Sequence, residues 1–438
     1  MSVSKEYKYL LLTTLLVAAF LRLVYVSRLT REVVWVDEFD YLALGKSIAA
    51  GQGFVTPRGE PTAFRPPGYP ILLAALYKLG IQSTPAVRIV QVFLNVLTIY
   101  FLSFLSLKIA GPVASIVTAI VAAGYPYFIY ATATLFAFTW FSMTFVLSVF
   151  FLFNGLERKK SRYMILAGLF MGISILTRTS AVVLAACVII WLVIILFKQP
   201  KRLLVYVISY GLAVSLVLLP WIIRNAQTMG RVTLSTNAGR NFWLGNNPSS
   251  TKNSGSNIDM PRELAEGIDS ATETAAESIY WTEALNHIKS DPNRYFVLAL
   301  QKGAALWRLD PSPTSLGYSR HKKLLSFVSC VSYGPIFILA VLGFFLANRE
   351  QQKFMLLWIL FGFAFTVLHA IFISKVRFRL PLDFFLIAMA ASAVAAIAGR
   401  WRLTGRFYKF RIFSGFIYDQ NGSSTDPCVA RRHSSLWL

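Results

Sequence analysis

PPGYPILLAALYKLG, residues 66–80, is apolar enough to enter a bilayer and too short, between its proline pair and its glycine, to cross one. How this stretch is counted decides the side of the membrane on which every later loop lies. Read as a short juxtamembrane or re-entrant helix, it leaves about ten apolar runs of spanning length. These run over about residues 9–27, 87–107, 113–131, 136–154, 162–177, 180–197, 203–222, 325–347, 354–373 and 381–398. Lys5 and Lys8 precede the first run, and Arg22 within it, with no clear small-residue cleavage site, favours a retained anchor over a cleaved signal.

On that count the basic clusters LERKKSR, KQPKR, NREQQK and GRWRLTGRFYKFR all share the side of the amino terminus, as the positive-inside rule requires. Counting 66–80 as a span inverts most of them. The fold expected is therefore an all-α integral membrane protein of about ten transmembrane helices with juxtamembrane helices on the outer face. Residues 1–400 form one transmembrane domain with a first outer loop at 28–86 and a long outer loop at 224–322. A basic and then polar cytoplasmic tail follows at 401–438.

Composition agrees. The chain of 438 residues is 56% hydrophobic and only 14% charged, outside the range of soluble domains. Its formal charge of +23 is dispersed among the spans and not gathered into a basic domain, so nucleic acid is not an expected partner. Cys187, Cys330 and Cys428 are too scattered for a disulfide framework, and His287, His321, His369 and His433 lack metal-ligand spacing.

The same parity brings polar residues from six separate segments to the outer face: Asp37 and Glu38, Arg65, Arg178, Arg224, the Asn-rich stretch 237–247, and Arg377 with Arg379. From Asp37 to Gly51 the pattern is an amphipathic helix, with Asp37, Tyr41, Leu44 and Ile48 on one face and GQG ending it. Asp37 at the helix start suits a cap as well as a reactive carboxylate, since the helix dipole favours its charged form. Arg178, in GISILTRTSAV, interrupts about 35 apolar residues, at a cost of roughly 2.5–3.5 kcal/mol on insertion scales. Arg224 in PWIIRN and the pair in KVRFRLP also stand at outer ends of spans, against the positive-inside trend. Cations so placed call for a local anion, and guanidinium groups grip phosphate in bidentate fashion. Snorkelling to the interface is the other reading of each taken alone. STNAGRNFWLGNNP, 235–248, reads as a turn-rich loop offering amides of Asn237, Asn241, Asn246 and Asn247 to hydroxyl groups.

Together these groups suit one reaction. A carboxylate takes a proton from an acceptor hydroxyl while fixed cations stabilise a departing phosphate. Asp37 and Glu38 are the candidate catalytic pair, Arg178, Arg224, Arg377 and Arg379 the candidate phosphate ligands, and Tyr41, Arg65 and the four asparagines the candidate substrate contacts. No cofactor is required by this chemistry, although Asp37 and Glu38 suit a divalent cation as readily as a base.

WVDEFDYLALGKSIAAGQGF, TAFRPPGYPILLAAL, GISILTRTS, PWIIRNAQTMGRVTLSTNAGRNFWLGNNP and KVRFRLPLDFF, in this order, resemble membrane glycosyltransferases of the C superfamily. Within it the chain is most similar to the glycosyltransferase family 39-like branch of protein O-mannosyltransferases and the aminoarabinose transferase of lipid A. That resemblance implies an outer-face active site in the cell membrane, a polyprenyl-phosphate sugar donor, a lipid, glycan or protein acceptor, and inversion at the anomeric carbon. It puts the acidic motif on Asp37 and Glu38, with Asp37 as base, the proline pair on Pro66 and Pro67, and the donor-phosphate cations on Arg178, Arg224 and Arg377 or Arg379. The chain departs from many relatives at TLFAFTWF, 134–141, which offers no carboxylate where they carry one. Two other readings use the same outer arginines: a transporter or flippase of lipid-linked sugars, and a polymer transferase resembling O-antigen ligases.

Overall fold

A computed structural model describes residues 3–29, 33, 35–253, 260–309 and 318–403, so the expected tail beyond residue 403 lies outside the described residues. Among the described residues the regular elements are helices, and the β contact is one isolated bridge, Val55 to Pro61. The helices are α1 (Lys5–Ser27), α2 (Val36–Ala49), α3 (Gly68–Lys78), α4 (Thr84–Gly124), α5 (Pro126–Ala133), α6 (Phe138–Arg158), α7 (Arg162–Thr177) and α8 (Val182–Leu196). They continue as α9 (Pro200–Met229), α10 (Ala238–Gly245), α11 (Arg262–Asp269), α12 (Glu273–Ser290), α13 (Pro292–Leu306), α14 (Tyr318–Leu346), α15 (Arg349–Ile371) and α16 (Val376–Leu403).

Eight helical segments are long and apolar enough to span a bilayer, and α7 is a shorter apolar one. At 41 residues α4 would be about 60 Å long, twice the hydrocarbon thickness. It is instead two passes joined at Gly111, whose φ of 82° breaks the helix ahead of Pro112. Ser115 Oγ donates to Ser103 O at 2.8 Å and Thr118 Oγ1 to Ser106 Oγ at 2.8 Å, the pattern of a hairpin folded back on itself. Counting both arms and α7 gives the ten passes expected. Helix α3, at 11 residues, reaches about 16 Å and does not cross, as its proline and glycine limits suggested.

Buried polar groups set how the passes pack. Arg22, fully buried in α1, donates to Asn95 Oδ1 at 2.7 Å in the first arm of α4 and to the carbonyls of Ala122 and Ala123 in the second. The guanidinium thus satisfies carbonyls freed where the second arm ends, and ties three passes together. Helix α7 approaches α9 through Gly168 and Gly172, where an added Cβ would lie 2.4 Å from Tyr210 O and 2.7 Å from Val217 Cβ. Two small residues one turn apart are a recurrent way for membrane helices to close in without a hydrophobic driving force.

The two ends of the bundle differ in character. At one end Lys108 pairs with Glu157, Arg202 Nη2 donates to Leu156 O at 2.7 Å and Gln351 Nε2 to Ile109 O at 2.9 Å. That end gathers three of the basic loops assigned to the cytoplasmic side. The other end carries α2, α3, α5 and α10 to α13.

At that end α3 lies against α2 and α7. Gly45 faces Leu73 Cβ at a distance that leaves no room for a side chain, and an added Cβ on Gly68 would stand 2.8 Å from the backbone nitrogen of Thr177. The contact docks the first outer loop directly beside residue 178.

Candidate active site

Helix α2 starts at Val36, and its first turn points three carboxylates in two directions. Neighbouring residues on a helix face about 100° apart, whereas residues three or four apart share a face. Asp37, Asp40 and Tyr41 therefore face the cleft together, and Glu38 turns inward.

Asp37 is about one-third exposed and sits between two cations. Its Oδ1 accepts from Arg65 Nη2 at 2.6 Å, and its Oδ2 stands 3.7 Å from Arg377 Nη2. Arg65 also donates to Asp40 Oδ2, from Nη2 at 2.7 Å and from Nε at 3.1 Å. Its guanidinium lies 5.4 Å from the Tyr41 ring and 5.1 Å from the Phe64 ring. Burial works to lower the Arg65 guanidinium, but Tyr41, Asp37 and Asp40 more than reverse this and hold it above its ordinary value. Tyr41, buried edge-on against Tyr69, has its hydroxyl raised, by burial first and by Asp37 among its neighbours.

Arg178 ends α7 in an extended conformation, φ −145° and ψ 111°, before the short 3-10 turn that opens α8. Its guanidinium lies 5.6 Å from the Phe141 ring and 5.5 Å from the Phe378 ring, and among the described residues it forms no ion pair. Burial lowers it to about 10, which leaves it charged at neutral pH. Arg377, half exposed, rests over Phe136 at 5.7 Å and shares the Phe378 ring at 5.5 Å. Two cations over one aromatic platform, with one carboxylate oxygen at 3.7 Å, make a cleft with spare positive charge.

Several residues expected in this cleft do other work. Glu38, 2% exposed, accepts the Trp35 N–H at 3.0 Å and the Leu135 N–H at 2.7 Å. The helix cap thus falls to Glu38 and not to Asp37, and Glu38 also clamps the 134–137 hairpin, which puts Phe136 under Arg377. Arg379 is fully buried, paired with Asp383 at 2.9 Å, donating to Leu306 O and Arg308 O, and stacked on Tyr333 at 3.4 Å. A phosphate outside cannot reach it.

Arg224 is also occupied. It donates to Thr62 O at 2.7 Å, Phe54 O at 2.9 Å and Asn225 Oδ1 at 2.9 Å. Glu273, from α12, completes this joint by accepting from Ala63 N at 2.8 Å, Thr62 Oγ1 at 2.6 Å and the Thr236 hydroxyl. Arg224→Ala is expected to loosen the 54–63 segment by about 1–3 kcal/mol, two charged hydrogen bonds discounted for partial exposure. Faster amide exchange across 54–63 is the expected result, and exchange as slow as in the wild type would show that Arg224 does not hold this segment.

The Asn-rich stretch is not a run of turns, because α10 occupies most of it. Asn246 and Asn247, both buried, follow α10 and bond inward: Asn246 Nδ2 to Phe242 O and Ile371 O, Asn247 Nδ2 to Trp243 O. Lys302 also reaches Asn246 Oδ1 at 3.0 Å, and burial lowers its ammonium to about 7. Asn237 and Asn241, partly exposed, stand at the start of α10, where Thr236 N donates to Ala63 O at 3.0 Å and Arg240 lies 5.9 Å from the Phe64 ring. These two remain beside the cleft.

A divalent cation does not fit the acidic pair. Both oxygens of Glu38 receive backbone N–H groups on the inner side of α2, while Asp37 meets Arg65 on the other. Among the described residues no group of three or more His, Cys, Asp or Glu is arranged to hold a metal. Sequence reasoning overlooked Asp40, whose i+3 spacing from Asp37 was the available signal. It also overlooked Phe136, Phe378 and Glu273, which reach the site through contacts across 200 residues or more.

Residues 64–223 match the family profile described as dolichyl-phosphate-mannose-protein mannosyltransferase. No curated protein matches the chain. Among solved structures, the apo oligosaccharyltransferase of Archaeoglobus fulgidus is similar over 91% of this chain and 51% of its own, with 13% identity and a TM-score of 0.53. The oligosaccharyltransferase AglB of the same organism, in complex with an inhibitory peptide and a dolichol-phosphate, gives 14% identity and a TM-score of 0.51 over the same shares. ArnT from Cupriavidus metallidurans, bound to undecaprenyl phosphate, gives 14% identity and a TM-score of 0.45 over 91% of this chain and 80% of its own. The chain thus spans about half the length of the oligosaccharyltransferases, with which it shares a fold. Residues 64–223, which carry Arg65, the 134–137 hairpin and Arg178, are thus similar to the dolichyl-phosphate-mannose-protein mannosyltransferase family.

Proposed function

We propose that this protein transfers a sugar from a polyprenyl-phosphate carrier to an acceptor hydroxyl, at the outer face of the cell membrane and with inversion at the anomeric carbon. The observation that carries the reading is the pairing of a half-held carboxylate with spare cations. Asp37 has one oxygen fixed by Arg65 and the other turned toward Arg377, beside Arg178, which forms no ion pair among the described residues. Similarity over 64–223 to the dolichyl-phosphate-mannose-protein mannosyltransferase family supports it. So does the shared fold of an oligosaccharyltransferase whose complex contains a dolichol-phosphate.

In this reading Asp37 Oδ2 takes the proton of the acceptor hydroxyl as its oxygen bonds to the anomeric carbon. The bond from that carbon to the phosphate oxygen breaks, and its electron pair leaves with the phosphate. Arg178 and Arg377 bear the added negative charge in a cleft walled by Phe136, Phe141 and Phe378, where low polarity strengthens the attraction. A phosphate leaves as an anion, so no general acid is required. In this reading Asn237, Asn241 and Tyr41 contact the hydroxyls of the sugar.

The reading predicts that the full chain, purified from native membranes, carries polyprenyl phosphate or its glycosylated form. Mass spectrometry of the bound lipids, set against lipids of the same membranes, should show that enrichment. Bulk phospholipid in both samples would leave the arginines as interfacial anchors and overturn the assignment of the donor.

A further inference from the structure

Arg65 differs from the other two cleft arginines in how completely it is engaged. A guanidinium offers five N–H donors in a planar fork, and grips phosphate best through one edge presenting two parallel donors. The Nε and Nη2 edge of Arg65 is already given to Asp40 Oδ2, at 3.1 and 2.7 Å. Nη2 is further committed to Asp37 Oδ1 at 2.6 Å. The rings of Tyr41 and Phe64 lie against the guanidinium. Arg178 and Arg377, by contrast, rest on aromatic rings and, among the described residues, have no carboxylate within hydrogen-bonding distance.

We propose that Asp40 is a positioning residue, holding Arg65 against Asp37 so that Arg65 orients the reactive carboxylate and does not bind the donor phosphate. The inference rests on the function proposed above.

Its logic is a matter of charge and direction. The charged and titratable groups around Asp37 are Arg65 from the first outer loop, Arg377 at the start of α16, Arg178 between α7 and α8, and Asp40 and Tyr41 from its own helix. Two carboxylates share one guanidinium, so Arg65 fixes Oδ1 of Asp37 without neutralising it as a dedicated partner would. Oδ2 is left to receive a proton. Without Asp40, Arg65 would turn its whole charge on Asp37 and free the edge with which guanidinium groups bind phosphate.

The test uses the full chain in lipid nanodiscs with undecaprenyl phosphate as the probe. With ¹³C-labelled aspartate, the Asp37 carboxyl signal is identified as the one lost in Asp37→Asn. It is expected to move in Asp40→Asn and to return toward its wild-type position in Asp40→Glu, a response that loss of packing alone would not reverse. Arg65→Gln is expected to lower the affinity for undecaprenyl phosphate by less than about tenfold, because it removes a nearby charge and not a phosphate ligand, and Asp40→Asn to leave it unchanged or tighter. An Asp37 signal unmoved in Asp40→Asn overturns the proposal. So does a loss of about tenfold or more in affinity in Arg65→Gln, the effect of removing a charged phosphate ligand. If the wild type binds no undecaprenyl phosphate, the proposed donor is wrong, and the carboxyl signal still decides the role of Asp40.

Discussion

Asp37→Asn is expected to lower sugar transfer by about 10²–10⁴-fold, the usual contribution of a positioned base, while polyprenyl phosphate still binds. The amide is isosteric with the carboxylate and can still accept a hydrogen bond from Arg65 through its oxygen. It cannot take the acceptor's proton at neutral pH. It also removes a negative charge near Arg377 and Arg178, so affinity for a phosphate should hold or rise. Transfer should therefore fall while binding, measured on the same preparation, holds or rises. Turnover that survives the substitution would assign the proton to another group. Glu38 is a poor candidate, because its two oxygens already receive the N–H groups of Trp35 and Leu135. A second outcome, in which binding and transfer fall together, would make Asp37 a structural partner of Arg65 and remove the chemical argument for this face.

Why the sequence disclosed some of this cleft and hid the rest follows from which groups bond locally. The passes were legible because bilayer thickness fixes their length, and the short count of 66–80 was legible because proline and glycine bound it. Even the break inside α4 was announced by Gly111 and Pro112. The direction of each carboxylate on α2 was also available in principle, since Asp37 and Glu38 cannot share a helix face, whereas Asp37 and Asp40 must. Arg379 carried its own warning in Asp383 four residues on, an i,i+4 ion pair that seals both side chains inside α16. Arg224 gave none. Its partners are carbonyls of Phe54 and Thr62, more than 160 residues away, and carbonyls leave no mark in a sequence. Asn246 and Asn247 misled in the same way, because an amide that bonds to backbone looks identical to one that awaits a sugar.

Arg178→Gln should weaken undecaprenyl phosphate binding by about 10–150-fold, the loss of one charge-assisted hydrogen-bonding partner worth about 1.5–3 kcal/mol. The expected size depends on where the cation sits. Arg178 is recessed between the Phe141 and Phe378 rings, so its charge is weakly screened, and among the described residues it has no ion pair to satisfy it. Arg377, half exposed and 3.7 Å from Asp37, should matter less and lose more of its effect as salt is raised. Titrations of the two variants at low and high ionic strength separate the roles. A large, salt-resistant loss at Arg178 with a smaller, salt-sensitive one at Arg377 is the pattern of a buried ligand and a rim ligand. Equal, salt-sensitive losses at both would mean that the two cations act on the phosphate through solvent, and would overturn the assignment of Arg178 as a buried ligand.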